Sequence, residues 1–268
     1  MTLKRGPRRI VCLTEETTET LYCLGEQDRI VGISGFTVRP ARARREKPKV
    51  SAFTSAKIDR ILDLKPDLVL GFSDLQADIA AQLVRAGLAV HIFNYRGVEG
   101  IFEMIRTLGA LVDAADRARD LSATLRAGLD EIAAAAARLP RRPRVYFEEW
   151  DEPMIGGIRW ITELVAIAGG EDCFPEFATA SLARERIIAD PLEVVRRAPD
   201  IIVGSWCGKK FRPERVCARA GWATIPAVAN GELHEIKSCD ILQPGPAALT
   251  DGVRRLHAII ARWAERHS

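Results

Sequence analysis

The sequence predicts an α/β protein of two lobes with mainly parallel sheets, joined by one long α-helix, and three observations carry that expectation. Segments 58–74 (IDRILDLKPDLVLGFSD) and 192–208 (LEVVRRAPDIIVGSWCG) repeat one pattern: a short amphipathic helix, Pro-Asp, an apolar β-branched strand, a glycine, then a polar or aromatic loop. Pro66 and Pro199 hold the same place in it, as do Gly71 and Gly204. Between the copies, residues 99–139 are rich in Ala, Leu, Arg and Glu, contain no proline, and keep apolar residues at helical spacing. Helix-to-strand units of this kind build parallel sheets covered on both faces.

Each element follows in order. Residues 9–13 (RIVCL) read as a strand; Thr14 can cap the helix behind it, which carries glutamates in its first turn and stops at Gly25. Residues 29–34 and 88–94 are further strands, with a helix over about 75–86 before the latter. Much of 99–139 reads as a single helix of roughly 25–35 residues, rising ~1.5 Å per residue. Strands follow at 143–150, 199–206 and 231–238, and helices at 159–170 and 246–267. The expected organisation is a Rossmann-like lobe over 1–98, a connecting helix over 99–140 and a second Rossmann-like lobe over 141–268, with a ligand cleft between the lobes.

Composition excludes several classes. With 39 basic against 36 acidic side chains the net charge is only +3, too balanced for a non-specific nucleic-acid binder. No apolar run approaches the roughly 20 residues that span a bilayer, so no membrane insertion is expected. Glu15, Glu16 and Glu19 interrupt any leader-like apolar region, which predicts a cytoplasmic protein if Met1 is the natural start, or a periplasmic one if a leader was trimmed. None of the six cysteines forms a C-x-x-C pair, which fits a reduced compartment and no zinc site. The four histidines lack metal-ligand spacing, and neither a G-x-S-x-G elbow nor a phosphate loop occurs. The expectation is a monomeric binding protein with no catalytic residue, no metal site and no resident cofactor.

In open parallel sheets, ligands bind outside the carboxyl ends of the strands. Glu148, Glu149, Trp150 and Asp151 fall at such an end in VYFEEWDEPMIGGIRW (145–160), and Trp206 and Cys207 at its neighbour. Thr14, Glu15, Ser73, Asp74 and Tyr95 end strands of the first lobe; Phe36 and Arg39 lie in the loop after 29–34, and Phe53 precedes a helix. Flat rings at these ends suit a large planar ligand, each able to bury about 150–250 Å². Plainer roles compete. Any one ring can be a core plug, and one of Glu148 and Glu149 can be simply solvated. Asp151-Glu152-Pro153 can be a turn, Cys207 structural, Lys209 and Lys210 a solvated rim, and Arg159 a solvated helix start.

The segments RIVCLTEETTETLYCLGEQDRIVGIS, IDRILDLKPDLVLG with its second copy, and GIRWITELVAIAGGEDCF resemble the substrate-binding proteins of ABC importers that have one rigid inter-lobe helix, the cobalamin, ferric-siderophore and haem type. The resemblance spans nearly the whole chain and is strongest toward the cobalamin binders. It implies a corrinoid ligand met by Phe36, Phe53, Trp150, Trp206 and the segment 238–242, with Tyr95, Glu149 and Cys207 alongside. Polar contacts would come from Arg39, Arg159 and Asp240. It also implies a permease partner docked through one carboxylate per lobe. Asp59 matches the first; the second position holds Leu192, with Glu193 beside it. Two rivals stand beside this reading: a ferric siderophore or haem on the same fold, and a metal-dependent enzyme or metallocofactor scaffold built on Glu148, Glu149, Asp151, Cys207 and Asp240.

Overall fold

A computed structural model describes residues 6–268. Met1, on which the compartment expectation turned, lies outside the described residues. The chain divides into two compact units. One reaches to Tyr95 and takes in Glu99–Leu125; the other holds Arg96–Val98 and Arg126–Ser268.

The first unit is built on five parallel strands, β1 (Ile10–Cys12), β2 (Ile30–Ser34), β3 (Lys49–Ser51), β4 (Leu68–Phe72) and β5 (Val90–Phe93), in the order β3-β2-β1-β4-β5. Central β1 pairs through Ile10, Val11 and Cys12 with Leu68, Val69 and Leu70 of β4, and both strands are buried throughout. Val11, Leu13, Val69, Ile61, Ile79 and Leu83 close the core where helices pack on the sheet.

The second unit holds β6 (Arg144–Asp151), β7 (Met154–Gly156), β8 (Glu171–Asp172), β9 (Ile201–Gly204) and β10 (Leu233–Glu235). The order is β10-β9-β6-β7, with β8 also pairing β6; only β7 runs antiparallel. Its core is more aromatic, gathering Tyr146, Phe174, Trp206, Phe211 and Trp222 around Ile202 and Val194.

The repeated Pro-Asp has a structural purpose in each unit. Asp67 accepts the backbone N–H of Arg8 (2.7 Å) and Arg9 (2.9 Å), and Asp200 accepts that of Arg144 (2.8 Å). Each aspartate thereby fixes the start of the neighbouring central strand, β1 or β6. The residues ahead of the two prolines, Lys65 (φ 45°) and Ala198 (φ 43°), both take the left-handed conformation that ends the preceding helix. The paired glycines are needed for space: a Cβ on Gly204 would stand 1.9 Å from the Phe211 ring, and one on Gly71 2.5 Å from the Gln76 side chain.

The single connecting helix expected over 99–139 is instead two, Val98–Leu111 and Ala115–Ala136. Asp113 adopts φ 59°, and the Ala114 N–H reaches back to Gly109 O at 2.7 Å. Gly109 lets Ala118 approach so closely that a Cβ there would lie 2.3 Å from the Ala118 methyl. Aspartate tolerates the left-handed region better than most residues, so the break needs neither proline nor a terminal glycine. The second helix begins in the first unit and ends in the other. Among the described residues, no helix is long and apolar enough to cross a membrane.

Candidate functional site

In the first unit the chain runs from β1 outward to β2 and β3, then crosses to β4 and β5 on the other side of β1. The connections after β1 and β4 therefore leave on opposite faces and open a crevice at their carboxyl ends. Gln76 stitches the loops there: its amide oxygen accepts the Phe72 N–H (3.0 Å), and its amide nitrogen donates to Phe53 O (2.9 Å) and Leu13 O (3.4 Å). Ser73, at φ 68°, accepts the Leu75 N–H on its hydroxyl (3.3 Å).

The helix Glu15–Cys23 opens with carboxylates that are buried, not solvated. One Glu15 oxygen accepts the N–H groups of Val38 and Arg39, both at 2.8 Å, and the Arg39 guanidinium pairs with Glu19 at 3.0 Å. Thr14 does not cap this helix through its side chain; its hydroxyl donates to Glu16 Oε1. Glu16 Oε2 is buried with no hydrogen-bond partner. Burial pushes the carboxyls of Glu15 and Glu16 up to about 7, above the hydrogen bonds that pull them down.

The loop pinned by Glu15 presents Phe36, 54% exposed, and Val38, 47% exposed; Leu75, after β4, is 53% exposed. Phe53 is half-buried and held at its carbonyl by Gln76. Tyr95 is half-buried with its ring 5.4 Å from Phe72 and 6.1 Å from Phe93, and burial keeps its phenol well above the usual range. Asp59 is exposed in the first turn of the helix Ile58–Asp63.

In the second unit, β6 has β8 on one side and β9 on the other, so its carboxyl end is the corresponding switch point. Glu148 is 0% exposed and fully engaged. It accepts the Tyr146 hydroxyl (2.9 Å), the Trp206 indole N–H (2.9 Å) and both arms of Arg219 (2.6 and 2.9 Å). A buried carboxylate is tolerable only with such pairing. Glu149 pairs with the buried Arg186 at 2.5 Å, so neither glutamate is the solvated member of the pair that strand alternation suggested. Asp151 is buried and holds Lys209 and, at 2.9 Å, Arg215.

Lys209 is more than a solvated rim. Its ammonium lies 4.0 Å from the Trp150 ring centroid and 5.3 Å from that of Trp206. Trp150 is half-buried and donates its indole N–H to Glu152 O (2.9 Å). Trp206 is 2% exposed and stands edge-on to Phe211 at 5.0 Å. The structure thus brings Trp150, Trp206 and Asp151 together around a lysine. Cys207, the next residue, is exposed. Arg159 is instead exposed at a helix start and bonded to Glu163 (2.8 Å), and Asp240 is buried against Arg255 (3.1 Å). Glu193 is taken by Arg196 and Arg197, whose hydrogen bonds, Arg197 first, hold its carboxyl below the usual range.

Sequence reasoning missed Glu16, Arg186 and Arg219. Burial of a glutamate in a helix first turn leaves no sequence signal, and the two arginines reach Glu149 and Glu148 from 37 and 71 residues away. Of the groups the metallocofactor alternative names, Glu148, Glu149, Asp151 and Asp240 each face a cation. Among the described residues, no group of three His, Cys, Asp or Glu could hold a metal ion.

Comparison with known proteins bears on all of this. The model of the family described as periplasmic binding protein matches residues 10–239. A protein of Halobacterium salinarum named cobalamin-binding protein is 27% identical over 278 residues, covering 96% of this chain and 71% of that one. Among solved structures, the periplasmic vitamin B12 binding protein of Vibrio cholerae superposes with a TM-score of 0.76 at 21% identity, covering 97% and 98% of the two chains. The periplasmic haem-binding protein RhuT of Roseiflexus does so at 0.80 and 21%, covering 95% and 100%. These likenesses show the fold and leave the ligand open.

Proposed function

Because the chain belongs to the periplasmic binding protein family, we propose that it is a non-enzymatic binding component for a corrinoid, a cobalamin-like ligand, held at the carboxyl ends of its strands. The observation that carries this reading is the near full-length similarity to a protein named for cobalamin binding. The chemistry of the edges supports it. Exposed Phe36, Val38 and Leu75 and half-buried Trp150 offer apolar and aromatic surface. A corrinoid arrives with its cobalt already chelated and asks the protein mainly to bury a large body within a largely pre-formed site.

Haem asks for an axial ligand such as histidine or tyrosine. Groups of that kind are present here, His91 half-buried in β5 and Tyr95 half-buried just after it. Haem or a ferric siderophore on the same fold is the second reading, supported by the likeness to RhuT. As a member of a family serving ABC importers, the chain is expected to meet a permease. Exposed Asp59 is available for docking, whereas Glu193 is already engaged by two arginines.

An absorbance titration of cyanocobalamin with the purified protein tests the ligand, with haemin and a ferric hydroxamate as parallel arms. Saturable spectral change with cobalamin at micromolar protein is expected. No response to cobalamin, or a response only to an iron chelate, sinks the corrinoid reading.

A further inference from the structure

The carboxyl end of β6 is layered. Its inner ring, Trp206, is fixed twice, by its indole N–H on buried Glu148 and by the edge-on Phe211. The outer ring, Trp150, is half-buried, and its indole N–H meets Glu152 O. Between the two rings lies the Lys209 ammonium, 4.0 Å from the outer centroid and 5.3 Å from the inner.

Several features keep the lysine there. Its ammonium bonds Asp151, whose side chain is only 2% exposed. Asp151 is also gripped by Arg215, whose guanidinium lies 5.7 Å from the Trp206 ring. Gly208, at φ 76°, turns the chain so that the Lys209 N–H donates back to Trp206 O at 3.3 Å. A lysine elsewhere extends its strongly hydrated head into water. This one is folded back onto an aromatic floor and a buried charge.

We propose that Lys209 is a positioning residue: its ammonium clamps Trp150 against the fixed Trp206–Asp151 base, so that the outer ring meets the ligand already oriented. The ligand arm rests on the corrinoid reading above. Pre-ordering a contact ring raises affinity by removing an ordering cost at binding, and cation–π contact is strong enough to do so when partly desolvated.

The test is a double-mutant cycle with Lys209→Met, Lys209→Arg, Trp150→Phe and the combination of Lys209→Met with Trp150→Phe, each first checked for a cooperative thermal transition. K209M should weaken cyanocobalamin binding about five- to tenfold, in the range of one cation–π contact. K209R should bind like the parent chain, since the guanidinium also sits on rings. The double variant should bind no worse than W150F alone, because the lysine acts through the ring. Binding by K209M that is unchanged or tighter, or fold losses that multiply in the double variant, overturns the proposal. Acrylamide quenching of indole fluorescence in ligand-free protein gives a second readout. K209M should raise quenching in the parent background and not in W150F. If the parent chain fails to bind cobalamin, the corrinoid reading falls, and quenching still decides the clamp: equal quenching in K209M and parent overturns it.

Discussion

Two sets of buried glutamates differ in the donors that surround them. Glu148 is surrounded by donors and a bidentate arginine, the strong kind of charge-assisted pairing. Glu15 and Glu16 lie side by side at a helix start with fewer donors, and burial raises both to about 7 from an ordinary 4.5. A raised acid holds its proton longer in the folded chain than in the unfolded one. Stability contributed this way is complete below about pH 4.5 and is lost as the pH climbs to about 7. At about 1.4 kcal/mol per unit the loss is of order 3 kcal/mol for one such carboxyl, and less than double that for the adjacent pair. Urea unfolding at pH 5 and pH 8 should show this fall in the parent chain and a smaller one in an E15Q/E16Q variant. The same pH dependence in both would contradict the burial argument.

Among elements, the helix–Pro-Asp–strand unit shows most clearly how local sequence sets tertiary structure. Its proline ends the helix, the residue before it turns left-handed, and the aspartate reaches sideways to the backbone of the central strand. Because Asp67 holds two N–H groups and Asp200 one, Asp67→Ala should cost more than Asp200→Ala. At roughly 1.5–3 kcal/mol per hydrogen bond to a charged group, both losses lie within reach of chemical denaturation. Equal midpoints for D67A and the parent chain would remove the strand-fixing role. The connecting segment teaches the converse. Residues 99–139 satisfy helical periodicity throughout, yet the chain breaks at Asp113, because the pattern of apolar residues says nothing about a left-handed turn that one aspartate can adopt.

For the molecule as a whole, a ligand that binds only the folded chain must raise its melting temperature by mass action. Cyanocobalamin at a hundred times its dissociation constant should add about 2.7 kcal/mol, a shift of several degrees readable by circular dichroism or calorimetry. No shift at saturating cobalamin would count against the proposed ligand. The paired sheets, the parallel strands and the edge that carries Trp150 were legible in the chain alone, because strand periodicity, turn residues and the Pro-Asp echo are local properties. So was the family likeness. Local pattern also placed Trp206 and Trp150 at strand ends, but it could not tell that the first is sealed in the core and the second half-open. Only the tertiary structure decided which carboxylates are matched by Arg186, Arg219 and Lys209, and which oxygen of Glu16 goes without a partner. Burial and charge pairing depend on residues distant in sequence, and no short window of a chain contains them.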